Sequence, residues 1–155
     1  METKLLTKPA MVVVGMRYQG KNANNEIAGL WSQFNARAHE IKHILPEAAY
    51  GVCIMVEGMP EGEFEYIAGY AVHQIDQLPD GMVVRIIPAY TYAVFAHRGG
   101  FEGLKKTYHN IYQVWLPEMG FTPIHRLDME VYTDEFKDFA EDSVFYIYVP
   151  VKEVM

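Results

Sequence analysis

Two stretches of this chain, about 80 residues apart, spell the same succession of patterns. The first begins with an apolar, β-rich run at residues 11–18 that leads into Gly20. Ile27, Leu30, Trp31, Phe34 and Ala38 then recur at spacings of three and four, the mark of a helix with one buried face. Two alternating runs follow, at 50–56 and 64–73, joined by the Gly/Pro/Glu-rich segment 57–63. The second stretch repeats the order: a run at 90–97 into Gly99, a helical face made by Leu104, Tyr108, Ile111, Tyr112 and Trp115, and runs at 127–133 and 144–151. A further short strand is expected at 82–87, after the Leu78-Pro-Asp-Gly81 turn. The expectation is an α+β fold of two β-α-β-β modules related by a pseudo-two-fold. They share an antiparallel sheet with helices on one face and a central cleft. One domain spans 1–155, with halves at about 10–75 and 82–152 and the first strand beginning near residue 10.

At 155 residues such a domain buries roughly 70% of its unfolded surface and needs no staple. A single cysteine, Cys53, excludes an internal disulfide and a multi-cysteine metal site. No apolar run reaches the ~18 residues of a membrane helix, and Met1-Glu-Thr-Lys4 lacks the pattern of a secretion signal. A reducing cytoplasm is the expected setting. The net charge of −7, with lysines and arginines scattered, argues against direct nucleic-acid binding and mildly favours cations.

The run 127–133 carries the most chemistry. Leu127, Met129 and Val131 alternate with Asp128, Glu130 and Tyr132, so one face is apolar and the other bears two carboxylates. The apolar face is expected under the second helix and the polar face in the cleft, with Asp128 a solvated edge charge. In the run 144–151, Phe145, Ile147 and Val149 are assigned to the core, and Tyr146 and Tyr148 to the side of Glu130. A carboxylate amid tyrosine rings suits a flat organic cation, each ring contact contributing about 0.5–2 kcal/mol. The bland alternative is a solvated glutamate, or one paired with Arg85 or Arg126. Trp31 reads as core; Trp115, at its helix end, either packs or reaches the cleft.

Rival constellations are thinner. His39-Glu-Ile-Lys-His43 spells H-E-x-x-H, which on a helix could offer two zinc ligands and a base, yet it falls at a helix end before Pro46 without a third ligand. Cys53 lies mid-strand between apolar neighbours, as a small filler would. No metal or cofactor is expected.

Residues 92–99 (Tyr-Ala-Val-Phe-Ala-His-Arg-Gly), 111–117 (Ile-Tyr-Gln-Val-Trp-Leu-Pro), 123–132 (Pro-Ile-His-Arg-Leu-Asp-Met-Glu-Val-Tyr) and 147–151 (Ile-Tyr-Val-Pro-Val) occur in this order. Together they resemble the GyrI-like (gyrase-inhibitor-like) domain, the effector-binding domain of AraC-type and multidrug-sensing regulators. The resemblance implies the same paired-module fold. It also implies a cleft for lipophilic, cationic molecules, with Glu130 meeting the positive charge and Tyr132, Tyr146, Tyr148 and Trp115 around it. Three functions stay open: a stand-alone binding module, a hydrolase of strained cyclopropane-type electrophiles with Glu130 as general base, and a partner-binding module acting on a protein such as gyrase. No DNA-binding module is read in the chain, and a homodimer through free strand edges is a further option.

Overall fold

The computed structural model describes residues 3–55, 58–99, 103–124, 127–137 and 143–154. Val56, the last residue of the run 50–56, Glu57, the first of the segment 57–63, and His125 and Arg126 lie outside the described residues.

The strands are β1 (Thr3–Lys8), β2 (Met11–Gly20), β3 (Ile44–Ile54), β4 (Phe64–Val72), β5 (Val83–Ile87), β6 (Tyr90–Arg98), β7 (Phe121–Pro123), β8 (Leu127–Tyr132) and β9 (Val144–Glu153). They hydrogen-bond in the order β1-β6-β9-β8-β3-β4-β2-β5, every pairing antiparallel, with β7 added against β9. That order is its own mirror image about the β8–β3 junction. β8, β9, β6 and β1 on one side answer β3, β4, β2 and β5 on the other. The pseudo-two-fold read from the repeat passes through this junction.

Two corrections concern strand limits. A strand precedes residue 10, because β1 pairs with β6 from Thr3↔Phe95 to Lys8↔Tyr90. β3 starts at Ile44, ahead of the run expected at 50–56, and includes Pro46. The β3–β4 register shifts between Ile44 and Ala49, and Pro46 sits inside that irregularity, where its missing N–H interrupts no ladder.

Helix α1 (Glu26–Arg37) begins at Asn25, whose φ of 61 is left-handed and whose side chain makes no cap bond. The capping falls instead to Asn22, whose Oδ1 accepts the Ile27 N–H at 3.0 Å. Helix α2 (Leu104–Asn110) runs into a π-helical turn (Ile111–Trp115) and then α3 (Leu116–Met119), ending at left-handed Gly120. The wide turn brings Ile111 and Leu116, five residues apart, onto the same buried side, with the Leu116 N–H bonded to the Ile111 carbonyl.

Cross-strand partners share a face, so the register fixes which residues lie under the helices. One row runs Phe95, Ile147, Glu130, Gly51, Ala68, Met16. Ile147 and Phe95 pack with Ile111 and Leu116, and Ala68 packs with Leu30 and Phe34. Both helices therefore cover the same face, and Glu130 lies between their two cores. The opposite face has its own apolar cluster, including Tyr50, Val52, Ile67, Tyr92, Met129 and Val131. Among the described residues, no helix is long and apolar enough to cross a membrane.

Candidate ligand site

β8 sits at the symmetry junction, and alternation sends Asp128, Glu130 and Tyr132 to the helix side. The apolar side chains Met129 and Val131 go to the far face, the reverse of the expectation that they would lie under the second helix. The helix that covers the sheet brings phenols to meet the carboxylates. Tyr108 and Tyr112, one turn apart on the helical rod, donate to Glu130 Oε2 at 3.0 Å and to Asp128 Oδ2 at 2.8 Å.

Glu130 receives two further hydroxyls. Tyr66 on β4 donates to Oε1 at 2.7 Å, and Tyr132 donates to the same oxygen at 2.8 Å. Trp31 on α1 completes the array by donating its indole N–H to the Tyr66 hydroxyl at 2.9 Å. The Trp31 ring meets those of Tyr66 and Tyr132 edge-on, with centroids 6.4 and 5.4 Å apart. Both helices thus converge on one carboxylate, α1 through Trp31 and Tyr66, and α2 through Tyr108.

Gly51 makes this convergence sterically possible. It faces Glu130 across the β3–β8 ladder. A Cβ there would overlap the Tyr66 hydroxyl and stand 3.0 Å from Glu130 Oε1. Only hydrogen fits beneath that hydrogen bond.

Burial pushes the Glu130 carboxyl above the usual carboxylate range. The hydroxyls of Tyr66, Tyr132 and Tyr108 oppose that rise, as does the charge of His97. Burial also lifts Asp128, to about 7, with Tyr112 opposing the rise and the Glu130 charge adding to it. The same burial, followed by the nearby carboxylate charge, raises the phenols of Tyr66, Tyr108 and Tyr132, so they remain donors at neutral pH. Asp128 is therefore an enclosed partner of Glu130 and not a solvated edge charge. Among the described residues neither Lys nor Arg bridges to either carboxylate. Arg85 instead binds Glu65 at 3.0 Å.

The other expected site residues separate into two groups. Tyr132 lies beside Glu130. Tyr146 and Tyr148 do not: β9 pairs with β8 as Met129↔Tyr148 and Val131↔Tyr146, which turns both rings to the far face. The expectation erred by one residue of register, assigning Phe145 and Ile147 to a core away from Glu130 although that core lies on the Glu130 face. Trp115 stacks on Phe95 at 5.7 Å, two strands from Glu130 in the same row. Trp31, read as core, is the tryptophan at the carboxylate. Sequence reasoning also missed Tyr66, Tyr108 and Tyr112 as polar participants. For Tyr108 and Tyr112 the available signal was a phenol on an otherwise apolar helix face, since a buried hydroxyl requires an acceptor.

The zinc motif dissolves in the fold. α1 ends at Arg37 and a single 3-10 turn (Ala38–Glu40) follows, so His39 and His43 do not share a helix. His43, at a left-handed φ of 63, bonds Asp76 at 2.6 Å. Among the described residues no group of three or more His, Cys, Asp or Glu could hold a metal.

Residues 1–152 match the family profile described as "GyrI-like small molecule binding domain". The chain belongs to the GyrI-like family. Its sequence is 37% identical over 154 residues to the transcriptional regulator BrlR of Pseudomonas aeruginosa, covering 97% of this chain and 56% of that protein. The GyrI-like chain thus spans little more than half the length of this curated relative. Among solved structures it resembles SAV2435 bound to tetraphenylphosphonium, with a TM-score of 0.77, 18% identity, and coverage of 98% and 94% of the two chains. It also resembles the EcmrR C-terminal domain, with a TM-score of 0.73, 18% identity, and coverage of 99% and 98%. These structural likenesses establish the fold of a GyrI-like domain: two β-α-β-β modules on one antiparallel sheet.

Proposed function

We propose that this GyrI-like domain binds lipophilic aromatic cations, with Glu130 as the charge partner and Tyr66, Tyr108, Tyr132 and Trp31 as the surrounding surface. One observation carries the reading. Glu130 is a carboxylate to which neither Lys nor Arg bonds among the described residues, held in place by three phenolic hydroxyls between two helices. Those hydroxyls occupy three of its roughly four acceptor sites, and they bring no positive charge to it.

Such a group discriminates among cations. An ammonium or guanidinium would compete with the tyrosines for lone pairs, whereas a phosphonium or a delocalised dye has no such need. At about 5 Å and an effective dielectric constant near 20, opposite charges attract by roughly 3 kcal/mol. Each ring contact adds about 0.5–2 kcal/mol. The solved structure of SAV2435 with tetraphenylphosphonium supports the same ligand class for this chain.

Binding is favoured over the hydrolytic and partner-binding readings because the three tyrosine donors fix the carboxylate as an acceptor, with Trp31 and tyrosine rings around it. Calorimetric titration with tetraphenylphosphonium and with neutral triphenylphosphine oxide tests the charge requirement. The cation is expected to bind at least about tenfold more tightly, the equivalent of 1.4 kcal/mol. Equal affinity for both would remove the role of the charge.

A further inference from the structure

β8 presents Glu130 on one face and the floor of a second aromatic cluster on the other. On that far face Tyr92 lies 5.5 Å from Tyr148 and 5.9 Å from Tyr90 between ring centroids. Tyr50, on β3, is 6% exposed in the same cluster. Into this group reaches Lys8, the last residue of β1, opposite Tyr90 in the ladder. Its Nζ stands 5.5 Å from the centroid of Tyr50 and 5.6 Å from that of Tyr148. β3 and β9 flank β8, so the ammonium is suspended above the Met129 and Val131 side of the strand that carries Glu130.

Two rings around one cation define a cage, and the identity of the caged group is informative. Among the described residues the Lys8 ammonium makes neither a hydrogen bond nor an ion pair; Glu47 attracts it only at longer range. Three N–H donors are therefore offered to π faces and solvent alone. Burial lowers the basicity of Lys8, with Glu47 opposing, as expected of a strongly hydrated ion held where it is poorly solvated. A cation without N–H groups would lose less water on entering the same space. Lys8, Tyr90 and Tyr148 are partly exposed, so the cage opens to solvent along the β1 side.

We infer that the far face carries a second cation site, walled by Tyr50 and Tyr148, that accepts quaternary ammonium groups and is occupied in the resting chain by the ammonium of Lys8. A ligand enters by displacing the Lys8 side chain, which swings into water from the end of an edge strand. This site stands apart from the Glu130 site and does not depend on it.

The experiment uses the full chain with Glu130→Gln as background, so that the first site is silent, and tetramethylammonium as probe, followed by NMR through its methyl resonance and the Tyr148 ring protons. Adding Lys8→Ala is expected to tighten binding by at least about tenfold, one to two ring contacts freed from their resident cation. Adding Lys8→Met, which refills the space without charge, should leave affinity at the background level. In the Lys8→Ala protein, Tyr148→Phe keeps the gain and Tyr148→Leu removes it, with dispersed spectra confirming that both fold. Equal affinity in the Lys8→Ala and background proteins would overturn the inference. So would a gain shared by Lys8→Met, which would reflect lost repulsion, or one that survives Tyr148→Leu.

Discussion

At the scale of single residues, Asp128 and Gly51 give the site its most testable properties. Asp128 titrates near 3.9 in an unfolded chain and at about 7 in the fold. The folded state holds the proton more tightly, so this contribution to stability is fully present below about pH 4 and is lost as pH rises through about 7. At 1.36 kcal/mol per pH unit, the full excursion is worth up to roughly 4 kcal/mol. Asp128→Asn removes the titration; its stability relative to the parent should therefore rise between pH 4 and pH 8, measured by urea unfolding at each pH. A constant difference across that range would show that Asp128 is solvated. Gly51→Ala places a methyl group where the Tyr66 hydroxyl meets Glu130. Small-to-large changes in packed sites cost about 1–3 kcal/mol. Here the cost should fall on the site as well, with tetraphenylphosphonium affinity at least about tenfold weaker than in the parent. A variant with unchanged affinity would mean that Tyr66 does not need its present position. The residue scale was only partly legible in the sequence. Glu130 was readable from alternation within β8 and from the resemblance, whereas Gly51 and Tyr66 matter through a β3–β4–β8 register that no local pattern encodes.

At the scale of elements, periodicity located both helices and every strand except β1 and β7, but not the faces they turn toward each other. β8 and β9 each alternate, and both faces of both strands are at least partly buried over 127–132 and 144–151, so hydrophobicity alone could not orient them. The helix-side face holds Phe145 and Ile147 with Glu130, and the far face holds Tyr146 and Tyr148 with Met129. β1 was missed because Thr3-Lys-Leu-Leu-Thr-Lys8 is a mostly exposed edge strand with little apolar content. α1 gives an element-scale prediction. Its Trp31 indole N–H bonds Tyr66 and its ring touches Tyr132, so a ligand entering beside Glu130 must alter the environment of Trp31. Trp115, stacked on Phe95, is two strands away. In a Trp115→Phe protein, where Trp31 is the one remaining fluorophore of its kind, saturating tetraphenylphosphonium should shift tryptophan emission. In Trp31→Phe it should leave emission nearly unchanged. The reverse pattern would place the ligand on the α2–α3 side of the sheet.

For the whole molecule, the two-fold arrangement explains why a charged group can be kept at the centre of a small domain. Each module covers its own half of the sheet, and the junction row passes from Ile147 through Glu130 and Gly51 to Ala68. Small residues on one side of the junction leave space that the tyrosines and Trp31 close over. The paired modules were readable in advance because the order of elements repeats. The site was less so, because it forms from both halves at once. A cation that binds only the folded chain stabilises it in proportion to RT ln(1 + [L]/Kd), about 2.7 kcal/mol at one hundred times Kd. The most direct test is therefore the affinity for tetraphenylphosphonium of the parent and of Glu130→Gln, measured by calorimetry at pH 8. The account predicts a loss of about 10- to 100-fold in the variant, the loss of roughly 1.4–3 kcal/mol of charge attraction. Affinity in Glu130→Gln equal to that of the parent would contradict it.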